Sequence, residues 1–339
     1  MKNFENLLMD FYELTMGQGY FDKKIHENIA YFDLFFRKVP DGGSFVIANG
    51  VKKCVNYLKS FKFTKSDIAY LKKLGKFSDE YLDYLANIKF TGDMWAVEDG
   101  TVVFPNEPVI TIRANLLEAQ LVETALLLYF NRSSLITTKA SRIVRAAQGR
   151  PVMEFGTRRA QGEEAAVDGA LDTYIAGACG TACTLSGKEY NIPVLGTMAH
   201  SFVQSFDSEY EAFKAYAESF PDSCTLLIDT YNTLNSGIQN AIQIQKKVLG
   251  PKRKKLAGVR IDSGDLAYLS KKVRAILDKN GLKSTKIVVS NSLDEYLITS
   301  LLNQGAKIDS FGVGENMITA KSNPVFGGVY KLVDRKSVV

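Results

Sequence analysis

Hydrophobic and polar positions follow different patterns in the first and second parts of the chain. From residue 10 to about residue 115 the pattern changes repeatedly. A helical start is followed by the alternating run AYFDLFFRKVP, a lysine-rich helical stretch over about residues 51–87, and short β-branched runs separated by turn residues. This mixture predicts a small α+β domain over residues 1–115.

From residue 116 onward a long amphipathic helix leads into a regular series of strand and helix patterns. Six short apolar segments each end abruptly in polar or glycine residues, and they begin at residues 151, 192, 224, 256, 286 and 308. Their spacing of 22 to 41 residues is about that of a βα unit with its return loop. The pattern predicts parallel strands over residues 116–333, arranged as a barrel or as an open sheet.

Polar residues gather at the carboxyl-terminal end of every predicted strand. In (β/α) barrels this end carries the catalytic loops, whereas an open doubly wound sheet binds its ligand at one switch point that draws on two or three strands. Six polar strand ends therefore favour the barrel. We predict an α/β fold, with an irregular parallel (β/α) barrel and a smaller N-terminal α+β domain.

Composition and charge narrow the class of protein. The 339 residues are 46% hydrophobic, and 42 basic against 37 acidic side chains give a net charge of +5. The densest basic cluster, residues 251–255, is more typical of a solvated loop than of a nucleic-acid site. Acidic residues interrupt the first apolar segment, no apolar stretch is long enough to span a bilayer, and the four cysteines lack disulfide or metal spacing. We predict a cytoplasmic protein that binds neither nucleic acid nor a membrane.

The residues at the predicted strand ends indicate a phosphorylated substrate. They are cations, carboxylates, glycines and one of the chain's two histidines, namely Arg158, Arg159, Arg260, Glu154, Asp229, Asp262, Asp265, Gly264, Gly312, Gly314 and His200. Guanidinium groups and backbone amides in glycine turns match phosphate oxygens. Carboxylates beside them would repel phosphate unless a hard cation lay between, and Mg²⁺ is usually held by one or two carboxylates with substrate oxygens. The pattern predicts a phosphorylated substrate with Mg²⁺.

Each of these residues also has an ordinary structural explanation. An aspartate or serine of the run DSGD could cap the following helix, the two adjacent arginines could pair with Glu163 and Glu164, and His200 could be a core residue. Their shared position at strand ends, which chance capping does not predict, favours a functional site.

Five motifs, in order along the chain, resemble those of the nicotinate phosphoribosyltransferase family. They are MDFYELTMGQGYF, EFGTRRAQG, GTMAHSFVQSF, VRIDSGDL, and GVGENMITA with GGVYKLV, and they extend to about Val333. The resemblance implies the type II phosphoribosyltransferase fold in a homodimer with shared active sites. It also implies condensation of nicotinate with phosphoribosyl pyrophosphate (PRPP) to nicotinate mononucleotide and pyrophosphate in NAD salvage, with Mg²⁺ and coupled ATP hydrolysis.

The resemblance further implies roles for individual residues. His200 would be transiently phosphorylated by ATP. Phe155 and Tyr12, the latter from the neighbouring subunit, would sandwich the pyridine ring, and Thr197 and Arg260 would contact nicotinate. The remaining positions would bind the ribose and phosphate groups of PRPP, namely Asp229, Asp262, Arg158, Arg159, Gly264, Asn291, Ser292, Gly312 and Gly314. Asp229 and Asp262 would also hold Mg²⁺.

The sequence departs from the family pattern in two places. Glu315 follows the motif GVG where some relatives have threonine, and a carboxylate there would repel phosphate, so it receives no role. Relatives usually continue well past residue 339. The chain is therefore expected to be truncated, with an incomplete smaller domain and with residues 334–339, DRKSVV, as a non-native tail.

Two alternatives to nicotinate phosphoribosyltransferase activity remain open. Nicotinamide phosphoribosyltransferase has the same barrel and histidine, and Asp172 could accept a hydrogen bond from the amide of nicotinamide. A non-catalytic phosphate-binding relative would bind PRPP without forming a phosphohistidine.

Overall fold

The structure is a computed structural model, and it describes residues 7–335. Its α-helices are, in chain order, α1 (Phe11–Asp22), α2 (Val51–Ser60), α3 (Lys65–Lys73), α4 (Asp79–Asn87), α5 (Leu116–Gln120), α6 (Glu123–Ala146), α7 (Glu163–Ile175), α8 (Thr184–Tyr190), α9 (His200–Gln204), α10 (Glu209–Ser219), α11 (Ile238–Ile244), α12 (Leu266–Lys279), α13 (Glu295–Asn303) and α14 (Glu315–Ile318). Its strands are β1 (Ile29–Phe36), β2 (Val46–Ile47), β3 (Asp93–Ala96), β4 (Val102–Val103), β5 (Ile110–Asn115), β6 (Val152–Glu154), β7 (Gly180–Thr181), β8 (Thr225–Leu227), β9 (Gly258–Ile261), β10 (Lys286–Val289), β11 (Ser310–Val313) and β12 (Gly328–Arg335).

The described chain divides into two compact units, residues 7–138 with 323–335, and Lys139–Ser322. The first boundary lies inside α6, whereas the sequence analysis placed it before that helix, at residues 115 and 116. The difference has a physical cause, because the first half of α6 bonds to the first unit. Thr138 Oγ1 accepts a hydrogen bond from Ile47 N, and Ser134 and Thr137 bond to Asn49.

The first unit contains an antiparallel sheet in the order β12-β1-β5-β3. The run AYFDLFFRKVP is confirmed as a strand over residues 30–36, where every second residue of β1 is buried, whereas residues 37–40 lie beyond the strand. The lysine-rich stretch forms three helices, α2 to α4, separated by short loops. Strand β12 pairs with β1 and includes Asp334 and Arg335, the first two residues of the predicted tail; residues 336–339 lie outside the described residues.

The second unit contains a parallel sheet in the order β7-β6-β11-β10-β9-β8. The last strand, β11, pairs with the first, β6, and a parallel bridge joins Thr181 to Val194. Neighbouring strands therefore follow chain order from β8 to β11, and β11 leads on to β6, β7 and the Val194 bridge. Among residues 7–335, ladder pairing is interrupted only between the Val194 segment and β8. The predicted parallel α/β fold is confirmed, and this order is compatible with the barrel.

Two details of the predicted strand series are wrong. The segment IPVLGTMAH is not a regular strand, and Val194 makes a single bridge there. Pro193 has no N–H to contribute to a ladder, although its carbonyl accepts a hydrogen bond from Thr181 N. Strand β7 was missed because two residues, Gly180 and Thr181, present no apolar run for the pattern to detect.

The buried Lys139 ammonium joins both ends of the second unit. Its Nζ donates to Glu295 Oε1 and to Ser322 Oγ, both at 2.8 Å, and the side chain is only 2% exposed. Removing one partner of a buried pair leaves an uncompensated charge, which typically costs roughly 3–5 kcal/mol. Lys139→Met should therefore lower the free energy of unfolding by about that amount in a denaturant titration.

An exposed ion pair supplies the control for this substitution. Lys286 Nζ lies 3.1 Å from Asp309 Oδ1, and the Lys286 side chain is 65% exposed. Exposed pairs contribute less than about 1 kcal/mol, so Lys286→Met should change stability little. Equal losses in the two variants would contradict the role given to Lys139.

Glu13 on α1 should make stability depend on pH. The residue is fully buried, and its Oε1 accepts hydrogen bonds from Thr124 and from Asp10 N. Burial raises the pKa of its carboxyl from 4.5 to about 7, against the opposing effect of those bonds. Between these values the folded protein holds a proton that the unfolded chain has released, so stability falls as pH rises and levels off above the folded pKa.

The size of this effect is at most about 3 kcal/mol. Between pH 4.5 and about 7 the Glu13 carboxyl makes the free energy of unfolding fall as pH rises. Glu13→Gln should remove this contribution. Glu98 is exposed, and Glu98→Gln should keep the wild-type dependence. Unfolding curves across this pH range make the comparison, and an unchanged slope in Glu13→Gln would show that another group titrates.

Candidate active site

His200 is the first residue of α9, directly after the loop that carries the Val194 bridge. Its Nδ1 lies 3.0 Å from Thr230 Oγ1, and its Nε2 lies 3.8 Å from Asp262 Oδ2. The side chain is 39% exposed. The imidazole is therefore open to solvent and held beside a hydroxyl and a carboxylate, and it is not a core histidine.

The carboxylates of Asp229 and Asp262 follow two neighbouring strands, β8 and β9. Asp229 Oδ2 accepts from Asp262 N at 2.8 Å and from Ser263 Oγ at 2.6 Å. Asp262 Oδ1 accepts from Ser290 Oγ at the end of β10. Asp229 Oδ1 is buried and has no hydrogen-bond partner among residues 7–335. The ends of three adjacent parallel strands thus carry one continuous polar cluster, which His200 joins.

Arg260 on β9 brings a buried cation to this cluster. Its Nη1 donates to Thr197 Oγ1 at 2.5 Å, and its Nε is buried with no hydrogen-bond acceptor in the described part of the chain. Burial lowers the pKa of the guanidinium, while Asp262 and Asp229 oppose that effect and Arg158 adds to it. Arg260 and Thr197, both predicted to contact nicotinate, are therefore in direct contact. The Nε–H of Arg260 remains available to donate a further hydrogen bond.

Phe155 is held on the end of β6 by close packing against β11. Phe155 N donates to Val313 O at 2.8 Å, and a Cβ on Gly312 would lie 2.5 Å from Phe155 Cδ2. A Cβ on Gly314 would lie 3.1 Å from Phe155 O. Gly312 is therefore needed for packing and Gly314 lies in tight packing, while the contact of both with phosphate stays a prediction.

Glu154, the last residue of β6, fixes the start of the loop that begins at Phe155. It is fully buried, its Oε2 accepts from Thr181 Oγ1 at 2.6 Å, and its Oε1 accepts from Gly156 N. Burial raises the pKa of this carboxyl. Glu154 thus ties β6 to β7 and is not an exposed ligand for phosphate or metal.

Asn291 and Ser292 form the turn after β10 with left-handed backbone at both positions, φ 87° and 50°. Side-chain-bearing residues adopt this conformation at a cost, so something must hold the turn. Asn316 Nδ2 donates to Ser292 O at 2.9 Å and to Leu293 O at 3.2 Å. Because these carbonyls are engaged, the turn is fixed by a residue of α14.

Arg158 and Arg159 lie in the exposed turn Thr157–Arg159, which follows β6. Arg159 Nε lies 3.9 Å from Glu315 Oε2, and Lys321 Nζ donates to Glu315 Oε1 at 2.5 Å. The two cations lower the pKa of Glu315, Lys321 more strongly. The carboxylate that departs from the family pattern is therefore neutralised by its neighbours.

The turn between β9 and α12 contains two aspartates with different roles, Asp262 and Asp265. Gly264 has φ +77°, a left-handed conformation that favours glycine, and Asp265 caps α12 by accepting from Tyr268 N at 2.9 Å. Capping therefore accounts for Asp265 and leaves Asp262 to the cluster with His200.

Two further predicted residues lie elsewhere in the fold. Tyr12 is on α1 in the first unit and is 42% exposed. Asp172, which the nicotinamide alternative invoked, is buried on α7.

A cavity of about 520 Å³ lies between α9, α10 and the loop before His200. Thr197, Met198 and Ala199 form one wall, and aromatic rings of α9 and the α10 region form the other. Thr197, which accepts a hydrogen bond from Arg260, thus also lines this space.

Comparisons with known proteins give the chain its family. Residues 7–131 match the nicotinate phosphoribosyltransferase (NAPRTase) N-terminal domain, and residues 151–332 match the nicotinate phosphoribosyltransferase (NAPRTase) family. This chain belongs to the nicotinate phosphoribosyltransferase family. Its resemblance to that family, read from five motifs, is confirmed.

Individual members of the nicotinate phosphoribosyltransferase family agree with this assignment. The chain is 47% identical to a nicotinate phosphoribosyltransferase of Mycobacterium tuberculosis over 96% of its length and 70% of the relative's. It is 45% identical to that of Bacillus subtilis over 97% of its length and 66% of the relative's. Human nicotinic acid phosphoribosyltransferase superposes with a TM-score of 0.86 and 29% identity, over 96% of this chain and 74% of the human chain.

Several polar residues of the candidate site were not predicted from the sequence. They touch predicted site residues and come from strand ends or from α14, namely Thr230, Ser263, Ser290 and Asn316. Thr230 follows Asp229 directly after an apolar strand, so its position was a usable signal. Asn316 had no such signal, because its role depends on the fold bringing α14 to the 291–293 turn.

Proposed function

We propose that this chain condenses nicotinate with PRPP to form nicotinate mononucleotide and pyrophosphate in NAD salvage, with ATP hydrolysis coupled through a phosphohistidine. The observation that carries the proposal is the convergence of His200, Asp262, Asp229 and Arg260 at adjacent strand ends in a member of this family. Each of these groups supplies a separate requirement of the reaction.

Arg260 and Thr197 are proposed to bind the nicotinate carboxylate. The buried guanidinium has one N–H without an acceptor, and a planar carboxylate can satisfy it while also approaching Nη2. Phe155 is proposed to stack on one face of the pyridine ring, and Tyr12 of a second subunit on the other, which implies a homodimer. Stacking on an electron-poor ring contributes about 1 kcal/mol beyond the buried area.

The phosphate groups of PRPP are proposed to bind the cations and turns around the cluster. Arg158 and Arg159 are exposed and lie on the loop that presents Phe155. Asn316 holds the left-handed turn at Asn291 and Ser292 by a hydrogen bond to the Ser292 carbonyl. The backbone N–H groups of this turn are proposed to donate to the phosphate anion. Gly264, Gly312 and Gly314 complete the set that would approach the ribose phosphate.

The carboxylates fit a Mg²⁺ ion that is shared with the substrate. Asp229 Oδ1 is buried with no partner, and Asp262 Oδ2 faces His200 without a hydrogen bond to it. Within residues 7–335 no group of three or more His, Cys, Asp or Glu side chains comes together to hold a metal ion. Two carboxylates with substrate oxygens are a usual Mg²⁺ environment, and the ion would there neutralise charge on the diphosphate leaving group.

The residues of the chain then orient the reacting groups. As pyrophosphate leaves, the ribose carbon becomes cation-like, so Arg158 and Arg159 are proposed to stabilise the negative charge that develops on the leaving group. We propose that His200 is the nucleophile towards ATP, because an imidazole nitrogen with a free lone pair can attack phosphorus and the resulting phosphoramidate is reactive enough to be discharged later. Hydrolysis would thereby drive the condensation.

The environment of Asp172 gives no support to the nicotinamide alternative. Asp172 is 1% exposed on α7, so its carboxylate is closed to a ligand that arrives from solvent. A non-catalytic relative would bind PRPP without phosphorylating His200.

Within residues 7–335 no helix has the length and apolar character of a membrane span. We propose that the reaction takes place in the cytoplasm.

A coupled assay tests the proposed function. The purified 339-residue chain is supplied with PRPP, Mg²⁺ and ATP, and with either nicotinate or nicotinamide, and mononucleotide and pyrophosphate are measured. We expect turnover with nicotinate, stimulation by ATP, and little turnover with nicotinamide. Faster use of nicotinamide would favour that alternative, and PRPP binding without product would favour the non-catalytic relative.

A further inference from the structure

We propose that Thr230 is a positioning residue that directs phosphoryl transfer from ATP to Nε2 of His200, and away from Nδ1. The proposal rests on the phosphohistidine step of the proposed function and specifies its chemistry. Nothing in the five family motifs pointed to Thr230, which lies thirty residues from His200 in sequence and meets it through the fold.

The two ring nitrogens of His200 have different surroundings. Nδ1 lies 3.0 Å from Thr230 Oγ1, within hydrogen-bond range. Nε2 lies 3.8 Å from Asp262 Oδ2, beyond that range, and Asp262 Oδ1 is engaged by Ser290. Nδ1 is therefore anchored, whereas Nε2 faces the carboxylate cluster without a hydrogen bond to it.

The anchor determines which nitrogen can react. A phosphorus atom bonded to Nδ1 would occupy the space between that nitrogen and Thr230 Oγ1, and its oxygens would overlap the threonine. If Nδ1 carries the proton and donates it to the hydroxyl oxygen, Nε2 keeps its lone pair. A hydrogen bond at one ring nitrogen commonly sets the tautomer and so the reactivity of the other.

Thr230 is itself fixed by the cluster. It directly follows Asp229, whose carboxylate accepts from Asp262 N and Ser263 Oγ. The hydroxyl that orients the imidazole is thus mounted on the same peptide segment as a carboxylate proposed to hold Mg²⁺.

The transfer step balances without another reactant. The Nε2 lone pair forms a bond to the γ-phosphorus of ATP as the bond from that phosphorus to the bridging oxygen breaks. ADP leaves with the bridging oxygen and its electron pair. Nδ1 retains its proton and its bond to Thr230, so the product is a protonated phosphoimidazole.

The isomer of the phosphoenzyme is the first test. The full chain is incubated with ATP and Mg²⁺, and ³¹P NMR distinguishes phosphorus on Nε2 from phosphorus on Nδ1. We expect the Nε2 isomer in the wild type. Thr230→Val should slow its formation about tenfold, which is the loss expected for one hydrogen bond, and Thr230→Ser should restore it. Thr230→Ala, which opens space at Nδ1, should yield some of the Nδ1 isomer.

The matched control is Thr299→Val. The Thr299 hydroxyl bonds to Glu295 O on α13 and makes no contact with His200, so this variant should form the phosphoenzyme at the wild-type rate. A wild-type Nδ1 isomer, or normal formation in Thr230→Val, would overturn the proposal.

A second test does not depend on ATP chemistry. The chain has two histidines, so ¹⁵N-histidine NMR at a pH where imidazole is neutral can assign the tautomer of His200, with His26 as internal reference. We expect the Nδ1–H tautomer in the wild type and in Thr230→Ser, and a mixture in Thr230→Val.

The two tests separate this proposal from the function on which it rests. A resting Nε2–H tautomer would overturn the role of Thr230 even in an active enzyme. Conversely, an Nδ1–H tautomer in a protein that forms no phosphoenzyme would show that Thr230 orients the ring as argued, while the ATP-coupled step of the proposed function fails.

Discussion

Replacing His200 by alanine should abolish the stimulation of nicotinate mononucleotide synthesis by ATP, so that the variant retains only a slow synthesis that ATP does not accelerate. Covalent coupling requires a nucleophile at this position, and alanine has none. The imidazole is 39% exposed, so its removal opens no core cavity and should leave the folded state intact.

The matched control for His200→Ala is the next residue on the same helix. Ser201 is exposed, and Ser201→Ala should keep full ATP stimulation. Initial rates with and without ATP, together with phosphoenzyme measured from labelled ATP, give the comparison. Undiminished ATP dependence in His200→Ala would overturn the assignment of His200 as the phosphorylated residue.

The fold could be predicted from the sequence where strands and helices have a long enough pattern. β1 alternates over eight residues, and the βα units after residue 224 recur at similar spacing, so both were recognised. β7 consists of two residues, and the Val194 segment makes one bridge. Their strand character comes from pairing with neighbours, which no local pattern encodes.

The candidate site could be predicted as a set of strand-end residues, because parallel strands bring their carboxyl ends to the same edge. The sequence could not divide this set by role. Asp262 and Asp265 look alike in the run DSGD, yet one accepts from Ser290 and the other caps α12. Likewise Gly312 makes room for the Phe155 ring, a packing requirement that the motif GVG does not distinguish from phosphate binding.

Arg260→Lys should raise the KM for nicotinate by roughly 10-fold to 100-fold, while turnover of nicotinamide should change little. Lysine keeps the charge but loses the planar fork and the Nε–H that is buried without an acceptor, and a charge-assisted hydrogen bond contributes about 1.5–3 kcal/mol. Because only nicotinate carries a carboxylate, the loss should fall on that substrate and reduce discrimination between the two pyridines.

The control for Arg260→Lys is Arg253→Lys in an exposed loop, which should leave both KM values unchanged. The measurement is the ratio of kcat/KM for nicotinate and nicotinamide, with KM for PRPP determined in parallel. If KM for PRPP rises and both pyridines lose equally, Arg260 binds a phosphate group and the carboxylate must be recognised elsewhere. A loss confined to nicotinate would instead place the pyridine carboxylate against Arg260 and Thr197, since these two side chains are already in contact.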